Sequence, residues 1–383
     1  MIEKVWNPDG IRDQIQLRAI QRRRPLSCTM ELTYRCNFHC RMCYIRMTDE
    51  QAAPYGRLRT VEEWLDMARQ MRDAGVLNLT LTGGECTGYP GFERLYEQLA
   101  RMGFRITVMT NAGAYTESIR EIFRKYPPLS VGITLYGGNN ETYEAVTGDP
   151  RGLDKVVENI RFFQSIRVPV YLTYTIIRQN VMDYPQIAKM CSDFGIPYTI
   201  TTDITSHRYA TSWSDAMRCR LSPAERVFVA CCRPDEIADI AEEAGKLEKE
   251  LSKFRIPEIP NVTMPSKQDA CIGSYTACAI CWNGDMQTCI SMNGYQCVKP
   301  FEVGFETAWR QLKAVQEETF RRPAVCQTCS METDCLHNCA GRRFEGTGSP
   351  HEPDPYTCQY TWLLKRYKEK QNRTDVAESP KCV

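Results

Sequence analysis

The sequence predicts an α/β protein built on six parallel strands, followed by a small cysteine-rich domain. Three observations predict it. From residue 26 to about 205, β-rich runs alternate with amphipathic helical stretches; residues 206–268 are polar and helical with no strand signal; and cysteine density rises steeply from Cys271 to Cys358. Serial β-then-α units favour parallel strands joined by right-handed crossovers. A doubly wound sheet and a barrel both satisfy the pattern, and six units, short of the eight of a closed barrel, would leave a barrel open on one side.

The strands read in order as LSCTMELT (26–33), LNLTLTG (77–83), FRITVMT (104–110), SVGITLY (130–136), VPVYLTYTII (168–177) and YTITTDI (198–204). Each carries β-branched residues over a short run, and the last four add aromatic ones. Between them lie the helical segments VEEWLDMARQMRDAG, FERLYEQLARMG, TESIREIFRKY and GLDKVVENIRFFQSIR; the second ends in Gly and the third precedes Pro, as helix stops do. The expected organisation is an N-terminal lead at 1–25, the α/β unit at 26–205, a helical bridge at 206–268, a cysteine-rich domain at 269–372 and a tail at 373–383. The cysteine-rich part is poor in core-forming residues and needs metal staples to fold.

Bulk properties exclude several classes. A net charge of +1 over 383 residues gives no field that would draw nucleic acid or an acidic membrane surface. No apolar run is long enough to span a bilayer, and the N-terminus MIEKVWNPDGIRDQ lacks the apolar stretch of a secretory signal. A cytoplasmic location is therefore expected. Twenty cysteines in a reducing compartment point to metal or cluster ligation rather than to disulfides.

The first concentration of thiols is TYRCNFHCRMCY, which places Cys36, Cys40 and Cys43 directly after the first strand. Parallel α/β folds bind ligands at that end. Three thiolates on a four-iron cubane leave one iron open. Spacing alone also admits a zinc site completed by His39 or a remote ligand. The second strand ends in TGGEC, and a Gly-Gly there marks a tight turn or a close backbone approach to a ligand. Together the CX3CX2C loop and Gly83-Gly84-Glu85 resemble the radical S-adenosylmethionine (SAM) enzymes over residues 26 to about 205.

That resemblance implies a partial, six-stranded TIM-like (β/α)6 barrel. It implies that Cys36, Cys40 and Cys43 ligate a [4Fe–4S] cluster whose open iron is bound by the amino and carboxylate groups of SAM. One-electron cleavage of SAM would then release a 5′-deoxyadenosyl radical that takes hydrogen from substrate. By position, Gly83, Gly84 and Glu85 would line the methionine end of SAM, Thr134 would contact its ribose, and Arg151 would pair with its carboxylate. The family usually has an Arg a few residues before Arg151, where this chain has Val146. Asn111, Tyr136 and Asn180 also fall at strand ends, where each can equally cap a turn. Cys86, in place of the Pro common after Gly-Gly-Glu, reads as a small buried thiol.

The second concentration runs Cys271, Gly284, Cys289, then Cys326-x2-Cys329-x5-Cys335-x3-Cys339, then Cys358. It resembles the twin-cluster SPASM extension of radical SAM enzymes. The resemblance implies two auxiliary [4Fe–4S] clusters, three clusters in all, interleaved so that Cys271, Cys289 and Cys339 serve the first and Cys326, Cys329, Cys335 and Cys358 the second. The first then needs a fourth ligand, or keeps an open iron. ACAICWNGDMQTCI reads as a hairpin with Asn283-Gly284 as a two-residue type I′ turn. Counting outward sets Cys278 opposite Cys289 on one face and Cys281 on the other, so Cys278 is the expected fourth ligand.

Radical SAM enzymes with this extension mostly modify peptides or proteins, and TLYGGNNETYEAVTG resembles maturases of ribosomally made peptides. The resemblance therefore implies a precursor-peptide substrate, oxidised at one residue and crosslinked through a thioether or another bond. It also implies an electron donor such as flavodoxin or ferredoxin and, with only about 25 residues before the first strand, leader recognition by a separate protein, by the bridge, or not at all. Ile290 stands where sulfatase maturases carry an Asp base, which counts against that chemistry. The alternatives are action on a protein side chain, on a small molecule such as a tetrapyrrole, or a non-catalytic metal or electron-transfer role. Asp203 is one candidate base.

Overall fold

The structure, a computed structural model, describes residues 8–209, 215–256, 271, 273–292, 294–332, 335 and 339–374. Six strands follow one another as expected: β1 (Ser27–Glu31), β2 (Asn78–Thr82), β3 (Arg105–Thr110), β4 (Ser130–Leu135), β5 (Val170–Thr175) and β6 (Tyr198–Thr201). All five neighbouring pairs are parallel, and the order β6-β5-β4-β3-β2-β1 matches the chain order. This is an open, partial (β/α)6 barrel. Its helices start where local chemistry supplies a cap. Thr60 and Glu63 form a reciprocal capping box on the helix Val61–Ala74, which Gly75 stops in the left-handed region at φ 103°. Thr116 caps Glu117–Lys125 and Asn139 caps Asn140–Thr147. The alternating faces of the strands bury Met30, Leu79, Leu81, Val108, Ile133 and Leu172 against Trp64, Phe92, Phe123 and Phe163 of the surrounding helices.

The sheet does not end at β1. The strands β7 (Ala277–Ile280) and β8 (Met286–Gln287) extend it to eight, with β7 parallel to β1 and β8 antiparallel to β7. Sequence reading places this hairpin wholly in the cysteine-rich domain; instead it shares the barrel's edge. The reason is burial: ACAI offers four mostly apolar residues that complete the open hydrogen-bonding edge of β1. The bridge also packs against the far end of the chain, where Ala224, Val227, Ala244 and Leu247 meet Tyr360, Leu363 and Leu364 of the helix Pro355–Thr374. Residues 210–214 and 257–268 of the bridge, 269–270 of the cysteine-rich domain and 375–383 of the tail lie outside the described residues. No described helix is long and apolar enough to cross a membrane.

Candidate functional site

The loop after β1 is fixed to its neighbours by backbone hydrogen bonds. Gly84 N–H donates to Thr33 O at 2.7 Å and Glu85 N–H to Arg35 O at 2.9 Å, while His39 N–H and Arg41 N–H donate to Thr147 O and Val146 O. So close an approach requires glycine. A Cβ on Gly84 would lie 2.7 Å from the Arg35 carbonyl carbon and 2.8 Å from Tyr34 O, all backbone atoms, and Gly83 has φ +153° with Thr33 beside it. Gly84→Ala is therefore expected to push the turn off the cysteine loop, to cost about 1–3 kcal/mol as overpacking does, and to weaken SAM binding. Calorimetric titration of SAM into the variant at unchanged affinity would contradict this.

The loop and the strand ends enclose a cavity of about 270 Å³. Cys36, Cys40 and Cys43 line it, with Gly83, Gly84 and Thr134. Four further threonines face it from successive strand ends: Thr82 on β2, Thr110 on β3, Thr175 on β5 and Thr201 on β6. Each thiol has a donor aimed at its sulfur. Asn111 Nδ2 lies 3.3 Å and Phe38 N 3.4 Å from Cys36 Sγ, and Arg46 N lies 3.2 Å from Cys43 Sγ. The Tyr136 hydroxyl bonds to Cys40. Burial nevertheless resists ionisation: it pushes the Cys36 thiol up to about 12, with Glu85 adding to it, and raises Cys40 and Cys43 as well. Three such thiols become stable thiolates when positive metal shares the cavity. Three converging thiols beside a glycine turn, with hydroxyls opposite, fit an iron–sulfur cluster with SAM on its open side. Among the described residues, no three His, Cys, Asp or Glu side chains converge tightly enough for a single metal ion.

Two expected SAM contacts lie elsewhere. The Glu85 carboxylate is buried behind the cavity wall, where it accepts from Thr87 Oγ1 at 2.7 Å and from two wall residues, Thr110 Oγ1 at 2.8 Å and Asn111 N at 2.8 Å. It fixes the end of β3 to the glycine turn. Burial raises its pKa while these donors lower it. Arg151 is exposed at the start of the helix Gly152–Ser165, its N–H bonded to Asp149, and is absent from the cavity wall. Val146 is buried with Met42 and Ile177. Of the three ambiguous strand-end residues, Asn111 and Tyr136 line the cavity. Asn180 instead satisfies backbone, donating to Tyr136 O and Thr175 O at 2.9 Å each.

In the C-terminal part the fold brings two sets of thiols together. Burial raises the Cys289 thiol, and Cys339 and Cys271 are among its charged neighbours. The Cys358 thiol is pushed up to about 12 by burial and then by Cys326, Cys335 and Cys329. These last four line a separate cavity of about 150 Å³.

Cys278 does not join the first set. The hairpin turn has three residues rather than two: Cys281 N–H donates to Asp285 O and Gly284 N–H to Cys281 O, both at 2.8 Å. Gly284 has φ +93°, whereas Asn283 is not among the residues with positive φ, so the type I′ turn is excluded. The pairs are therefore Ile280 with Met286 and Ala279 with Gln287, one residue out of the expected register. Such a slip turns a strand's side chains to the other face. Cys278 points into the barrel core, paired with Cys28, whose pKa its hydrogen bond raises. Cys278→Ala is expected to leave iron content unchanged after reconstitution, whereas Cys289→Ala should lower it; an iron assay showing equal losses would restore Cys278 as a ligand.

A second cavity, about 390 Å³, adjoins the first through Tyr44 and Thr205 and reaches Ile290 and Ser291 beside the Cys289 set. Sequence reading missed its organising residue, Arg208. The guanidinium pairs with Glu31 at 2.5 Å, donates to Ile290 O at 3.2 Å and lies 4.8 Å over the Tyr44 ring. Sequence reading also missed Thr82, Thr110, Thr175 and Thr201, for which the strand ends TLTGG, VMTN, LTYT and TITTD carry a signal; Arg208 carries no local signal.

A partial barrel with a thiol-lined cavity at its strand C-termini defines an α/β protein built to hold a metal–sulfur cofactor there. Residues 30–191 match the family described as the radical SAM superfamily. The sporulation killing factor maturation protein SkfB of Bacillus subtilis is 26% identical over 171 residues, 45% of this chain and 40% of that protein. The chain thus spans about two fifths of the length of that relative. The AdoMet-dependent heme synthase of Methanosarcina barkeri is 22% identical over 356 residues, 88% of this chain and 97% of that one. Among solved structures, Streptococcus suis SuiB bound to its precursor peptide SuiA shares the fold with a TM-score of 0.62 at 17% identity, over 93% of this chain and 82% of SuiB.

Proposed function

We propose that the protein is a radical SAM maturase of a ribosomally made peptide, forming a thioether or another crosslink in the cytoplasm. The observation that carries this is a pair of neighbouring cavities that share Tyr44 and Thr205 in their walls: the thiol-lined one, and a second lined by Ile290 and Ser291 next to Cys289. A substrate there would lie between the SAM site and the Cys271, Cys289 and Cys339 thiols. SkfB is a maturation protein and SuiB binds a precursor peptide, and both support a peptide occupant.

In this reading Cys36, Cys40 and Cys43 hold the cluster that binds SAM. Cys271, Cys289 and Cys339 hold a first auxiliary cluster, and Cys326, Cys329, Cys335 and Cys358 a second. A cluster held by Cys36, Cys40 and Cys43 would supply the electron for reductive cleavage of SAM. The chain's own residues position it. Asn111 and Tyr136 hydrogen-bond to ligand thiols, the Gly83-Gly84 backbone admits the methionine end of SAM, and Thr134 serves the ribose. A flavodoxin or ferredoxin would deliver the electron, and a separate protein or the bridge would recognise a leader. The test is anaerobic reconstitution with SAM and dithionite, reading 5′-deoxyadenosine and, with a cysteine-bearing peptide, the loss of two hydrogen atoms by mass. Failure to release 5′-deoxyadenosine from well-loaded protein would end this reading.

A second reading, a tetrapyrrole substrate, is favoured by the near full-length match to the heme synthase. A visible-spectrum change of a supplied porphyrin precursor, with no peptide product, would select it.

A further inference from the structure

One carboxyl group borders each of the two neighbouring cavities, Asp203 the first and Glu345 the second, and both share the wall of a third, smaller one with Arg226 and Arg342. Asp203 is held between two guanidiniums, with Arg226 at 2.5 Å and Arg342 on its other oxygen. It therefore latches the end of β6 to the helix Ala340–Thr347, a poor position for a group that must take up a proton. Glu345 lies on that same helix, one turn beyond Arg342, and lines the second cavity with Phe344, Ser291 and Arg208.

We propose that Glu345 is the catalytic residue that accepts a proton from the substrate in the second cavity, an assignment that rests on the reading of that cavity as the peptide's site. The step is a proton transfer alone. A substrate S–H bond breaks, an O–H bond forms on the Glu345 carboxylate, and the electron pair stays on sulfur, leaving a thiolate ready to be joined to carbon.

Burial pushes Glu345 up to about 7, with Asp203 adding to it, against Arg342, the Ser291 hydroxyl and Arg208, which lower it. His207 and Tyr44 also face this cavity. A free carboxyl near the usual value of about 4.3 would be a weak acceptor for a thiol near 8.5, whereas at about 7 the gap closes to roughly 30-fold. Because the acceptor must be ionised, crosslinking should rise with pH through about 7.

Two measurements test this on the full, reconstituted chain. With a cysteine-bearing test peptide, Glu345→Gln is expected to lower product formed per 5′-deoxyadenosine released by about 100-fold or more, and Glu345→Asp to recover part of it. The second needs no turnover: a hydrophobic carbodiimide, which reacts with protonated carboxyls, should label Glu345 at about pH 6 and far less at about pH 8. Equal labelling at both values, or Glu345→Gln with wild-type product per turnover, overturns the role of Glu345 while the maturase reading stands. A wild-type protein that never releases 5′-deoxyadenosine overturns both.

Discussion

Replacing Cys36, Cys40 and Cys43 together by alanine is expected to remove about four irons per chain, of roughly twelve if the proposed auxiliary clusters are also loaded, and to abolish 5′-deoxyadenosine formation altogether. The three thiols share one cavity with the glycine turn and the ring of strand-end threonines, so no other described cysteine stands ready to replace them. Their burial also sets a pH dependence for loading. Each thiol is raised above its ordinary value and must lose its proton to bind metal, so iron uptake at this site should fall as the pH is lowered. The thiols that gather near Cys289 and Cys358 belong to other parts of the fold, and the remaining eight or so irons should persist. A triple variant with undiminished iron and SAM cleavage would show that the cavity is not the reaction site.

Arg208→Ala is the largest stability change we expect, about 3–5 kcal/mol. Glu31 ends β1 with no exposure, and its partner Arg208 is 4% exposed, so removing the guanidinium leaves a buried charge without its counterion. Urea unfolding of the variant should show the loss, whereas replacing both residues by apolar ones of similar volume should cost much less. The sign of the pH effect follows from burial. Burial already raises the Glu31 pKa and Arg208 opposes it, so without Arg208 the folded-state value climbs further above the unfolded one. The variant's deficit should then be smallest in acid and grow as the pH rises through the folded value. Activity should fall too, because Arg208 also fixes Ile290 and Tyr44 on the cavity wall. A variant as stable as wild type near neutral pH would refute the pair's role.

Much of the site was open to reading from residue order. The three thiols follow a strand, the glycine pair follows the next, and β2, β3, β5 and β6 each end in threonine, all within short stretches whose local geometry follows from spacing and secondary structure. Arg151 misled because proximity in sequence to an expected arginine says nothing about which way a helix start faces. Glu85 misled because its motif position is right while its carboxylate is consumed by Thr87, Thr110 and the Asn111 amide.

Residue order alone was enough for the serial parallel barrel and for the thiols of its first loop, since alternation and close spacing are local properties. The hairpin register was settled by partners far away in the chain. Arg59 donates to Asn283 O and Asn283 donates to Tyr55 O, so the turn holds three residues and Cys278 faces the core. Likewise, Arg208 and Glu345 reach one cavity because helices and strand ends pack there. Long-range packing can choose between registers that differ by a single residue; spacing along the chain leaves them nearly equal in energy.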